Sequence, residues 1–279
     1  MNAVDINSCY FEMGFREAPF SITPDTSYFY PGSRHMTALT HLQYGLATGS
    51  GGFTLLTGEV GLGKTLLCRQ LLKNTPPGIR TAYIFNPTPT YVELLNAIYH
   101  DLTGERLKSS SYGEPLREIY KTLLALAARG EKVAVILDEA HRFTPKLLEG
   151  LRLLSNLETE KEKLIYLILV GQPELEKTLS LKELRPLAQR ISVRYRLVPF
   201  TRRETMEYIR HRIKVAKSAG NFKFSMSAML FVHNLSGGAP RRINQICDRA
   251  MLAAYSKGRK TAGSLAVIRA AREVTNSTE

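Results

Sequence analysis

The stretch Gly58-Glu59-Val60-Gly61-Leu62-Gly63-Lys64-Thr65 constrains this chain more than any other, because it fits the pattern G-x-x-x-x-G-K-[ST]. Phe53 to Thr57 reads as an apolar strand before it, and Leu66, Leu67, Leu71 and Leu72 recur at helical spacing after it. At average residue frequencies a chance match in 279 residues is about one in a hundred, and the strand and helix context makes chance rarer still. Glycines at these positions let consecutive backbone N–H groups turn toward an anion, to which the following helix adds its positive end. Gly58 through Leu66 are therefore expected to hold the phosphates of a nucleotide. Lys64 would reach the outer phosphates and Thr65 would ligate a magnesium ion.

The rest of the chain alternates short apolar runs with helical patterns, as parallel α/β sheets do. Candidate strands are Phe53 to Thr57, Thr81 to Phe85, Val133 to Leu137, Leu164 to Val170 and Ile191 to Leu197. Thr90 with Glu93 forms a capping box, and Thr144 followed by Pro145 sets another helix start, after which Leu147, Leu151 and Leu154 share a face. The strand signal stops near residue 200. Thr201 with Glu204 then opens a helix carrying Met206, Ile209, Ile213 and Ala216, and Pro240 opens one carrying Ile243, Ile246, Cys247, Ala250, Met251 and Ala254. A last helix runs from about Ser264 to Val274. The expected fold is a P-loop NTPase: a five-stranded parallel sheet flanked by helices, then a small all-helical lid. Residues 1–200 would form the nucleotide-binding α/β domain with its N-terminal linker, and residues 201–279 the lid.

With 44% hydrophobic and 23% charged residues, the composition excludes a disordered or collagenous chain. Cys9, Cys68 and Cys247 are odd in number and far apart, so neither a disulfide framework nor a structural zinc site is indicated. The longest apolar runs fall far short of the roughly 20 residues a membrane helix needs. An N-terminus carrying Asp5 and Glu12 lacks the features of a secretory signal. The expected location is cytoplasmic.

Downstream of the loop, Val133 to Leu137 delivers Asp138-Glu139 at the end of a buried strand, a Walker B pattern. Asp138 would hold magnesium through water, and Glu139 would orient and deprotonate an attacking water. A second acid there favours hydrolysis over transfer to a bound acceptor. His141 reads as a loop residue or a support to its neighbours. Gln172, just past the strand Leu164 to Val170, is a candidate γ-phosphate sensor, the alternative being an amide that caps the turn before Pro173. Arg185 and Arg190 precede the fifth strand, where a ring ATPase would present an arginine finger to the neighbouring subunit. Arg190 is preferred of the two. Arg241 stands in the first turn of the helix opened by Pro240, where the dipole disfavours a cation and a phosphate would offset that, so it reads as a second sensor.

Thirty-eight Lys and Arg against 25 Asp and Glu give +13, and the excess lies late. Residues 185–217 contribute +8 and residues 241–260 contribute +5. Such a half suggests an anionic partner: nucleic acid, lipid headgroups, an acidic protein face or the nucleotide itself.

With these residues in hand, the chain resembles an AAA+ ATPase, and more narrowly the ExeA/GspA and MshM-type family associated with type II secretion and MSHA pilus biogenesis. The resemblance rests on Pro19-Phe-Ser-Ile-Thr-Pro-Asp25 with Tyr28-Phe-Tyr30, Leu56-Thr-Gly-Glu-Val-Gly61, Leu153-Leu-Ser-Asn-Leu-Glu-Thr159 and Gly171-Gln-Pro-Glu-Leu175. It implies ATP rather than GTP, with Mg2+, a homo-oligomeric ring, and a protein component of a pilus or secretion system as partner, reached peripherally at the inner membrane through another protein. Secretion-branch relatives carry a membrane helix and a peptidoglycan-binding module after the ATPase. Neither follows here, so the chain looks like the short pilus-type branch or a soluble member. The segment from Tyr28 to His41 would cover the adenine, or else pack against the sheet edge. Transposition regulators that bind DNA are also among the relatives, which keeps a nucleic-acid-coupled ATPase as the alternative function.

Overall fold

The computed structural model describes residues 6–48, 52–85, 90–107, 111, 113–159, 163–216 and 222–276. Asp5, used in the reading of the N-terminus, and Lys217, used in the charge reading, lie outside them. All five expected strands form: β1 (Phe53–Gly58), β2 (Ile79–Ile84), β3 (Lys132–Leu137), β4 (Ile165–Gly171) and β5 (Ile191–Leu197). They make one sheet in the order β2-β3-β4-β1-β5, and every pairing is parallel. β1 and β4 are buried along their whole length, whereas β5 alternates buried and exposed residues, as an edge strand covered on one face should. β2 begins two residues earlier than its apolar pattern, since Ile79 and Arg80 pair with Lys132 and Val133 whatever their side chains.

By its contacts the chain groups into two units, and the division differs from a single cut at residue 200. The first unit runs from Met36 to Val60 and from Leu67 to Leu197. Its core lies against the sheet, where Leu94, Leu95 and Ile98 of the helix Tyr91–Thr103, Ile119 and Leu123 of Gly113–Ala127, and Leu147, Leu148 and Leu151 of Pro145–Leu154 are buried. The predicted caps are present. Thr90 accepts the Glu93 N–H at 3.2 Å while the Glu93 carboxylate accepts the Thr90 N–H at 3.1 Å, and Thr144 accepts the Leu147 N–H at 3.3 Å.

The second unit combines the described residues through His35, Gly61–Leu66, and the chain from Val198 on. It holds the helices Arg202–Ala216, Met226–Ser236, Pro240–Tyr255 and Ser264–Asn276. Phe15, Phe20 and Tyr28 are buried in one cluster with Ile209, Ile243, Ile246 and Met251, which is why the N-terminal segment groups with the helices and not with the sheet. Arg212, buried in the helix Arg202–Ala216, fastens that segment. Its guanidinium donates to the carbonyls of Pro19 at 2.6 Å and Ser21 at 2.9 Å and stacks 4.2 Å from the Tyr28 ring. The strand signal does not stop at residue 200: two-residue strands β6 (Lys223–Phe224) and β7 (Thr261–Ala262) pair in parallel within this unit.

Candidate active site

In the sheet unit, the strand order sets the carboxyl ends of β1, β4 and β3 side by side, with Thr57 opposite Gly171 and Leu137 opposite Leu169. The segments leaving that edge are Gly58-Glu59-Val60, Asp138-Glu139 and Gln172. Asp138 is 2% exposed. Its Oδ1 accepts the Glu139 N–H at 2.9 Å, and its Oδ2 accepts the Tyr83 hydroxyl at 2.9 Å. Burial, reinforced by the Asp138 charge, pushes the Tyr83 phenol well above its ordinary pKa, so it stays a donor. Sequence reasoning missed Tyr83, because only the strand order reveals that β2 lies beside β3.

Glu139 departs from strand conformation at φ 56° and ψ 27°, and it is the one non-glycine residue with positive φ among the described residues. Such a conformation costs about 1–3 kcal/mol and gathers at functional sites. Its carboxylate Oε2 lies 3.6 Å from Nδ1 of His141, and Nε2 of His141 lies 2.9 Å from the Gln172 amide nitrogen. The three side chains thus meet, and His141 is more central than its sequence reading allowed. Its position three residues past Asp138 was the signal available.

In the helical unit, the second half of the loop supplies a glycine cradle. Gly61 has φ +78° and Gly63 φ +92°, values that a side chain resists. A Cβ on Gly61 would stand 2.8 Å from the Cβ of Arg241, whose N–H donates to the Gly61 carbonyl at 3.1 Å. Arg241 therefore stands beside the loop, in the first turn of a helix whose N-cap, Ala239, offers no side-chain cap. Lys64 opens the helix Lys64–Lys73 and is 7% exposed; Thr65 follows it. Buried His35 donates from Nε2 to the Leu62 carbonyl at 3.0 Å, and burial lowers its pKa, so it holds the loop as a neutral ring. The aromatic segment of this unit packs among its own helices: the Tyr30 ring lies 5.6 Å from Phe200 and 5.9 Å from Tyr208. At the other end of the segment, in the sheet unit, the His41 ring lies 5.3 Å from Tyr195 of the edge strand β5.

The two arginines before β5 differ. Arg190 donates to the Ser155 hydroxyl at 3.0 Å and to the Asn156 amide oxygen, so it is held within its own chain. The Arg185 side chain is exposed and bonds no group among the described residues.

The cradle formed by Gly61 and Gly63 with buried Lys64 fits a nucleotide's phosphates. No cluster of three His, Cys, Asp or Glu side chains stands ready to cage a metal among the described residues. Asp138 offers a single buried carboxylate, which suits Mg2+, an ion that keeps waters and phosphate oxygens in its shell. No helix among the described residues is long and apolar enough to cross a membrane.

The family model described as an AAA domain matches residues 47–179. General secretion pathway protein A of Aeromonas hydrophila is 46% identical over 245 residues, covering 88% of this chain and 44% of that protein. The chain thus spans less than half the length of that relative. Among solved structures, the Aeropyrum pernix ORC2 protein in ADPNP-ADP complexes superposes with a TM-score of 0.70 at 17% identity, covering 93% of this chain and 72% of that one. The Aeropyrum pernix ORC1 protein in complex with DNA gives 0.69 at 18% identity, with 94% and 70% covered. At these identities the two structures establish the fold alone.

Proposed function

Because the chain belongs to the AAA+ ATPases, in the GspA/ExeA family, we propose that it hydrolyses ATP with Mg2+ as a homo-oligomer and powers or gates assembly of a type II secretion or pilus apparatus. In this reading the backbone of Gly58 to Leu66 cradles the phosphates, Lys64 neutralises them, and Thr65 and Asp138 hold the metal. When bound, Mg2+ supplies charge neutralisation on the phosphates. Glu139 accepts the proton of the attacking water, Gln172 senses the outer phosphate, and Arg241 reaches the nucleotide from the lid. Arg185, or Arg190 once released from Ser155 and Asn156, serves the neighbouring subunit as the finger. The protein would be cytoplasmic, meeting the inner membrane through a partner.

The observation that carries this reading is the pair at the end of β3: a buried, doubly hydrogen-bonded Asp138 followed by a strained, half-exposed Glu139. Lys64→Ala should abolish binding of a fluorescent ATP analogue. Glu139→Gln should retain that binding and lose turnover by on the order of a hundredfold to ten-thousandfold. Arg185→Ala should lose about a thousandfold and regain activity when mixed with Glu139→Gln, because a mixed interface joins an intact base to an intact finger. Unchanged turnover in Glu139→Gln refutes the mechanism, and failure of the mixture transfers the finger to Arg190. A second reading, hydrolysis coupled to nucleic acid, is favoured by the late basic excess of the chain.

A further inference from the structure

We infer that His141 is the positioning residue of the site: it holds the Glu139 carboxylate and ties it to Gln172, so that one imidazole links the water-activating base to the phosphate-sensing amide. The inference rests on the hydrolytic reading above. Its geometry lies entirely within the sheet unit.

His141 is held on both sides. It sits in a single 3-10 turn, Ala140–Arg142, flanked by buried Ala140 and Phe143, and that turn is closed by the Arg142 N–H on the Glu139 carbonyl at 3.0 Å and the Phe143 N–H on the Ala140 carbonyl at 3.1 Å. Gly171 makes room for it. A Cβ there would stand 3.0 Å from the His141 backbone nitrogen and 3.4 Å from its Cβ, so a side chain at residue 171 would push the turn from the end of β4 by a few tenths of an ångström. The same approach brings Gln172, the next residue, to the imidazole.

The ring's two nitrogens have different tasks. Nδ1 is buried with no hydrogen-bond partner among the described residues, and the Glu139 Oε2 at 3.6 Å is the acceptor it faces. A nitrogen facing a carboxylate carries the proton, since a lone pair there would be repelled. Nε2 is then left as an acceptor, matching the Gln172 amide nitrogen at 2.9 Å. Gln172 thereby fixes the tautomer that points a donor at Glu139. An amide drawn away to a phosphate frees the ring and the carboxylate together, so sensing and base placement are coupled through one side chain.

The test measures kcat and KM for ATP in single and double variants. His141→Ala should lower kcat about tenfold to a hundredfold, the scale of a misplaced catalytic group, with KM for ATP changed less than about twofold. His141→Asn, whose amide nitrogen can occupy the place of Nδ1, should restore kcat to within about threefold of wild type. His141→Gln keeps polarity at the place of Nε2 and should not. The loss in His141→Ala combined with Gln172→Ala should fall short of the product of the single losses by at least about threefold, the mark of coupled residues. Wild-type kcat in His141→Ala, equal rescue by Asn and Gln, or losses that simply multiply would each overturn the inference. Binding of a fluorescent ATP analogue reports whether each variant folds, and His141→Asn against His141→Gln carries the test where His141→Ala does not. A Glu139→Gln variant that still turns over would sink the hydrolytic reading and this inference with it. An inactive Glu139→Gln beside a fully active His141→Ala sinks the inference alone.

Discussion

Gly61 offers the sharpest physical test of the loop. Alanine there must adopt φ near +78°, and at Gly63 near +92°; each placement costs an L-residue about 1–2 kcal/mol. Only Gly61 adds a collision. The nearest atom to a Cβ on Gly63 is the His35 Nε2 at 3.5 Å, an ordinary contact, whereas a Cβ on Gly61 meets the Arg241 Cβ at 2.8 Å. Overpacking of that kind costs about a further 1–3 kcal/mol. Gly61→Ala should therefore be less stable than Gly63→Ala by about that margin in urea unfolding at unchanged m. The colliding atom is one that every residue except glycine carries. Pairing Gly61→Ala with Arg241→Gly should consequently recover at least about 1 kcal/mol of coupling, and pairing it with Arg241→Ala close to none. Loss of helix propensity in Arg241→Gly cancels within the cycle. Equal stability of the two glycine variants, or equal relief by Arg241→Ala and Arg241→Gly, would refute the placement of the lid helix against the loop.

Glu139→Gly should be more stable than Glu139→Ala by about 1 kcal/mol, because glycine relieves the positive φ and gives back part of the gain as chain entropy; both should be equally inactive, and identical melting temperatures would show that no strain is stored there. Duplex DNA at about 150 mM salt, near physiological ionic strength, should leave the ATPase rate unchanged, with any binding weakening by about 0.9 in log affinity per log salt for each neutralised phosphate. A severalfold stimulation would instead make nucleic acid the coupled partner.

Features written in neighbouring residues were legible in the sequence. The five strands and the helix starts at Thr90, Thr144 and Thr201 all depend on spacings of a few residues, and each stands within two residues of its pattern. Features made by distant segments were not. Tyr83 meets Asp138 only because β2 ends up beside β3, and no local pattern states that order. Arg212 is a charged residue outside the set Met206, Ile209, Ile213 and Ala216 that marks its helix, yet it is buried because the carbonyls of Pro19 and Ser21 and the Tyr28 ring satisfy it. β6 and β7 contribute two residues each, too few for any alternation to register. His141 falls between these cases: its place after Asp138 was visible, but its link to Gln172 needed the approach of β4.

The adjacent acids Asp138 and Glu139 are given opposite tasks by one change of backbone conformation. Along a strand successive side chains point to opposite faces, so a continued β3 would send the second carboxylate away from the first. The turn to φ 56° at Glu139 breaks that alternation at the moment the chain leaves the sheet. Asp138, still within the buried edge, is fixed through both oxygens by the Glu139 N–H and the Tyr83 hydroxyl, which suits a ligand that must not move. Glu139 is 39% exposed and meets only the longer contact to His141 among the described ion pairs, which suits a group that must reach a water and release it. The same N–H that Glu139 gives to Asp138 keeps the turn in place, so the rigidity of the first acid supports the strained position of the second. Strain at Glu139 is thus a structural consequence of setting a buried, doubly hydrogen-bonded carboxylate and a half-exposed one side by side in sequence.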